Sequence, residues 1–182
     1  RHDAQAAIRK QALNALGGLA KPPGQLQQLA YDATFDSSYA VTAEALGQLY
    51  LLNPSSARIR AQALKDLPSP EVQLAVAELY DLEDDDSLVP YLTKWAPRMP
   101  MGWNRWGALT LLADYLPRAP KALQQEGLAL LARYTTSDVW VERYIAAQAL
   151  VGLQKKLPAA RRLLRQMEEA ETNPAIRSLL QG

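Results

Sequence analysis

Phe35 to Asn53 reads FDSSYAVTAEALGQLYLLN, and its periodicity decides the fold. Wound as a helix, it sets Tyr39, Ala43, Leu46 and Tyr50 on one stripe at the offsets i, i+4, i+7 and i+11. Thr42 and Leu49 widen that stripe, Val41, Ala45 and Leu52 form a second apolar flank, and Glu44 and Gln48 are expected on the far side. A helix apolar on two sides needs neighbours on both. Asp36, Ser37 and Ser38 can cap its free N–H groups, and Asn53-Pro54 stops it. The same spacing returns at Ile8, Ala12, Ala15, Leu19 and at Trp140, Tyr144, Ala147, Val151, which reads as equivalent helices of a stacked repeat.

Outward from this stretch the chain is punctuated by proline. Breaks are expected at Lys21-Pro22-Pro23-Gly24, Pro54, Pro68-Ser69-Pro70, Pro97-Pro100, Pro117-Pro120, Pro158 and Pro174. Only Pro90 falls inside a proposed helix, in its first turn, where proline is tolerated. Between the breaks the apolar points follow the helical period: Ile59, Ala63 and Leu67; Val72, Ala75, Val76 and Leu79; Trp106, Leu109, Leu112 and Ala113. No period-2 run rich in Val, Ile and Thr suggests strands. Ala-Leu pairs at Ala12, Ala45, Ala108 and Ala149 are 33, 63 and 41 residues apart, an irregular period that fits HEAT-like repeats better than tetratricopeptide repeats. The expected fold is all-α: a HEAT-like helical repeat, an α-α superhelix of about eleven short antiparallel helices, forming one domain over residues 1–182.

Composition narrows the function classes. Lys+Arg total 20 against Asp+Glu 19, a formal charge of +1, where a dedicated nucleic-acid or membrane-surface binder carries a basic excess. No nucleic-acid or membrane partner is expected. No apolar run approaches the ~20 residues that span a bilayer, so a soluble chain is expected, cytoplasmic or periplasmic. Cysteine is absent and His2 is the one histidine, so neither a thiolate site nor a two-histidine zinc site is available, and no catalytic or metal-ligating residue is expected.

The remaining candidates are weak motifs. The acidic run Asp81 to Asp86 lacks the alternating ligands and central glycine of a calcium loop; a solvated turn that caps a helix is the simpler reading. Trp95, Trp103 and Trp106 either line a groove or fill the core, and core is the commoner use of large aromatics. Lys155, Lys156, Arg161, Arg162 and Arg165 make a basic patch, explained by the end of a helix and a charged outer face. Tyr39 and Trp140 are expected to be structural anchors, Trp140→Ala costing roughly 3–5 kcal/mol.

Three segments are similar to the C-terminal helical domain of the aminopeptidase N family of zinc metallopeptidases: DSSYAVTAEALGQLYLLNP (Asp36–Pro54), LAVAELYDLEDDDSLVPYL (Leu74–Leu92) and SDVWVERYIAAQALVGL (Ser137–Leu153). The likeness covers about Asp36 to Leu157, in the family's order. It implies the C-terminal, non-catalytic part of a larger chain, an excised or processed piece whose partners are the catalytic domain of the same polypeptide and the peptide substrate. This part would close over the active site and restrict access to it. Zinc would belong to the parent's catalytic domain, with no cofactor in this stretch. In that setting a guanidinium is expected to meet the substrate's far carboxylate, Arg105 first, then Arg98, Arg143, Arg58 and Arg60. A free-standing HEAT scaffold for protein binding is the alternative. A HEAT-like DNA glycosylase using Trp103, Trp106 and Asp114 is less favoured, because duplex binding needs many phosphate contacts.

Overall fold

A computed structural model describes residues 4–16 and 24–181. Eleven α-helices follow one another: α1 (Ala4–Leu16), α2 (Gly24–Ala33), α3 (Tyr39–Leu52), α4 (Pro54–Leu64), α5 (Pro70–Leu82), α6 (Leu88–Trp95), α7 (Trp103–Tyr115), α8 (Lys121–Thr135), α9 (Trp140–Leu153), α10 (Pro158–Ala170) and α11 (Pro174–Gln181). One 3-10 turn, Ala96–Arg98, extends α6, and no strand occurs among the described residues. The chain is an all-α helical repeat. His2, Leu19 and the Lys21-Pro22-Pro23 break lie outside the described residues.

Local chemistry sets the helix starts. Pro54, Pro70, Pro158 and Pro174 each open a helix, where the missing N–H costs nothing because the first turn has no intrahelical acceptor for it. Asn53 Oδ1 accepts from the Ser56 N–H at 3.0 Å to cap α4, and Ser69 Oγ accepts from Val72 N–H at 3.4 Å to cap α5. Pro90 sits in the first turn of α6, as expected.

The chain divides into two compact units, Arg1–Glu83 and Asp84–Gly182. In the first, α1, α3 and α5 lie side by side in one layer, with α2 and α4 packed against α3. In the second, α7, α9 and α11 form one layer and α6, α8 and α10 the other. Each unit is organised around one helix that touches four others: α3 meets α1, α2, α4 and α5, and α9 meets α7, α8, α10 and α11. Of the three helices with matching spacing, α3 and α9 are the equivalent central ones, while α1 packs to one side of α3.

The buried faces are rotated from those the periodicity suggested. On α3 the covered residues are Val41, Thr42, Ala45, Leu46, Gln48 and Leu49, while Ala43 and Tyr50 are only partly covered. On α9 they are Glu142, Ala146, Ala147, Leu150 and Leu153. On α1, Ala6 and Leu13 face inward, and Ile8, Ala12 and Ala15 face solvent. On α4, Ala57, Ala61 and Leu64 are covered, and Ile59 is 71% exposed. The assignment to α5 holds, with Val72, Ala75, Val76 and Leu79 all buried. Tyr39 and Trp140 are corrected as anchors: they occupy equivalent places, the first residues of α3 and α9, yet remain 45% and 49% exposed. A first-turn side chain projects back beyond the N-terminal end of its helix, where less of the neighbouring layer covers it.

Candidate functional site

The five candidate arginines differ in their surroundings. Four are engaged in holding the fold. Arg105, the third residue of α7, bonds the Met99 carbonyl through Nε at 2.9 Å and Nη2, and pairs with Glu142 of α9 through Nη1. Glu142 is buried, and its second oxygen accepts the Ser137 hydroxyl at 2.7 Å. Three of its five N–H donors are thus spent within the chain, and Arg105 serves as an inter-helix clamp.

Arg143 is engaged in the same way. It grips Glu171 with two bonds, Nε to Oε2 at 2.8 Å and Nη2 to Oε1 at 3.1 Å, and gives Nη1 to the Ser137 carbonyl at 2.7 Å. Glu171 also accepts from the Thr172 and Asn173 N–H groups at 3.0 and 2.8 Å. The Arg143 guanidinium, followed by those backbone donors, holds the Glu171 carboxyl below its ordinary range against the opposing effect of burial. Arg60 lies 3.8 Å over the Phe35 ring and donates to Thr34 Oγ1 at 2.9 Å, joining α4 to the end of α2. Arg58 pairs with Glu83.

These bonds repeat a device. An arginine of one helix clamps the start of the next helix in its layer: Arg9 of α1 holds Asp36 before α3, Arg105 of α7 holds Glu142 at the start of α9, and Arg143 of α9 holds Glu171 before α11. Arg9 meets Asp36 at 2.7 and 2.9 Å and lowers the pKa of that carboxyl. Partners 27 to 37 residues apart cannot be matched by periodicity, so the sequence singled out Arg105 and Arg143 but not Arg9, Glu142 or Glu171. The acid at the start of the following helix was the available signal.

Arg98 is different. It is exposed and has no hydrogen bond or ion pair with any described residue; its guanidinium stands 5.6 Å from the centre of the Trp95 ring. Lys94 stands 4.6 Å from the same ring. Trp103, the first residue of α7, is 83% exposed and meets Trp106 edge-on at 5.1 Å. Met101 is 58% exposed. A core role is thus excluded for Trp103, and Lys94 to Trp106 form a surface of cations and aromatics.

Asp114 does not join Trp103 and Trp106. It lies two to three turns further along α7, roughly 12–16 Å along the axis, in a groove of about 330 Å³ against Gln148 of α9 and Lys156 just beyond that helix. A second groove of about 560 Å³ lies over Thr135–Asp138, Gln166 and Met167, with the Arg143–Glu171 pair in its wall. The acidic turn is spent on structure: Asp85 Oδ1 accepts from Ser87 N–H at 2.8 Å, Asp86 accepts the Tyr115 hydroxyl at 2.9 Å, and Asp84 pairs with Arg118 at 3.4 Å. Among the described residues, no group of three or more His, Cys, Asp or Glu side chains is arranged to hold a metal. In the basic patch, Arg161 donates to the Gln154 carbonyl at 2.7 Å beyond the end of α9. No described helix is long and apolar enough to cross a membrane.

Comparison with known proteins bears on the fold alone. No protein-family model matches the chain, and no curated protein matches it. An engineered protein, whose crystal structure was solved by the Northeast Structural Genomics Consortium, is similar with a TM-score of 0.55. The match covers 98% of this chain and 90% of that one at 15% identity, a likeness of architecture.

Proposed function

We propose that this chain is the non-catalytic helical domain of an aminopeptidase N-type zinc enzyme, acting through its surfaces on the access of peptides to a catalytic domain of the same polypeptide. What supports the reading is where the three resembling segments fall. Asp36–Pro54 covers α3, Leu74–Leu92 runs through α5 into α6, and Ser137–Leu153 covers α9, so two of the three contain the central helices of their units. In this role each unit supplies its own helical surface, with neighbouring helices clamped by Arg9 in the first unit and by Arg105 and Arg143 in the second. Zinc, the general base and the exopeptidase site would be the catalytic domain's.

The test is the complete protein. A reading frame with H-E-x-x-H upstream of residue 1, and zinc-dependent release of N-terminal residues by its product, are expected. The isolated chain should release none. A complete frame without a zinc motif, or zinc-dependent release by the isolated chain, would overturn the proposal.

A further inference from the structure

The stretch from α6 into α7 concentrates the large aromatic and thioether side chains of the chain. Between Asp86 and Asp114 there is no acidic residue, as is also so between Asp3 and Asp32 and between Glu142 and Glu168; Lys94 and Arg98 are exposed here, while Arg105 is neutralised by Glu142. Three of the four tryptophans and two of the three methionines fall in the same stretch. Tryptophan, methionine and arginine are the residues most enriched at the centres of protein interfaces.

The stretch is also held in a fixed shape. Met99 is 1% exposed, its carbonyl is gripped twice by Arg105, and its N–H bonds the Trp95 carbonyl at 3.1 Å. Gly102 has φ 147°, a backbone state that only glycine adopts without strain, and Pro97 and Pro100 restrict the chain before it. From this pinned frame Met101 and Trp103 project into solvent. Large side chains shown on a rigid support lose little entropy when they are covered, and that is what binding requires of them. An isolated surface Trp of this size exposes apolar area that ordinary packing would have hidden.

Charge decides the occupant. Arg98 has no acidic partner among the described residues, and the uncapped start of α7 adds to the same sign. We propose that Lys94 to Trp106 is a docking surface for a short acidic, apolar segment of another protein, with Trp103 and Met101 as its apolar anchors and Arg98 as its carboxylate contact. A patch built from one connection suits a short peptide segment rather than a broad interface. An anionic membrane is the less favoured occupant, since stable adsorption takes about four to eight clustered cations and Arg98 and Lys94 are the exposed ones here. The surface stands independently of the aminopeptidase reading and can be tested apart from it.

The experiment is a selection of random peptides displayed on phage against the whole 182-residue chain, followed by fluorescence polarisation with the selected peptides. Selected sequences should combine Asp or Glu with Leu, Phe or Trp, bind more weakly as salt is raised, and lose about tenfold or more in affinity with Trp103→Ala and with Arg98→Ala. Both side chains are exposed, so the variants should keep their helical circular dichroism, which is checked first. Trp140→Ala, the other exposed tryptophan, should bind as the unaltered chain does. Selection of no common sequence, selection of sequences without acid, or undiminished binding by the Trp103 and Arg98 variants would overturn the proposal. Trp103-dependent sedimentation with phosphatidylserine vesicles, without peptide binding, would overturn it in favour of a membrane.

Discussion

Replacing Glu171 by alanine tests the clamp that orders the second unit. The side chain is 3% exposed and accepts four hydrogen bonds, two from Arg143 and one each from Thr172 and Asn173. Removal leaves a guanidinium that is itself 19% exposed with the Ser137 carbonyl as its main remaining partner. Breaking one side of a buried ion pair costs about 3–5 kcal/mol. The retained carbonyl bond and the partial exposure of Arg143 argue for the lower end, about 3 kcal/mol. Urea unfolding followed by circular dichroism and tryptophan fluorescence should show this loss in residues 84–182, with the first unit unaffected. The Arg143→Ala, Glu171→Ala double variant should lose clearly less than the two single losses added, because the second change removes an already unpaired group. The pH dependence has a definite sign. The folded Glu171 carboxyl lies below its ordinary value of 4.5, so the unfolded chain binds the proton more readily in the intervening range. The pair's contribution is complete above about pH 4.5 and falls away as pH drops through the folded value. Glu171→Ala should flatten that acid limb. A loss under about 1 kcal/mol, or additive single losses, would refute the clamp.

Other expectations follow from single sites. Gly47→Ala and Gly127→Ala are the same change with opposite signs. An added Cβ at Gly47 meets nothing within 4 Å and should stabilise α3 by up to about 1 kcal/mol. At Gly127 it would lie 2.4 Å from a Leu116 methyl that is fully buried, so a net loss of about 1–2 kcal/mol is expected by thermal unfolding. Burial and the bond to Asp86 push the Tyr115 hydroxyl up to about 12, so absorbance titration should show a late-ionising tyrosine that Tyr115→Phe removes. Trp140→Ala, with the ring 49% exposed, should cost about 1–2 kcal/mol by chemical denaturation, less than the 3–5 of a buried aromatic site.

The helices and their junctions were legible in the residues themselves. Proline at the junctions and the 3.6-residue period act within a single turn, so a local reading captures them; Asn53 and Ser69, read only as parts of breaks, prove to cap α4 and α5. The shared spacing of α3 and α9 was legible, but α1 carries it too and is not central, so the central position came from the packing. Which face is covered was not. Ala- and Leu-rich helices such as α1 and α3 are apolar on more than one side, and only the neighbours in the layer select Val41, Thr42 and Ala45 over Tyr39 and Ala43. The use of the arginines also came from the tertiary structure. Arg105 and Glu142, like Arg143 and Glu171, are brought together by the stacking of successive helices, and once paired out of water they are structural. Trp103 turned outward for a related reason: Gly102 and the clamped Met99 set the direction of the chain before α7, and burial follows that direction rather than the hydrophobicity of the side chain.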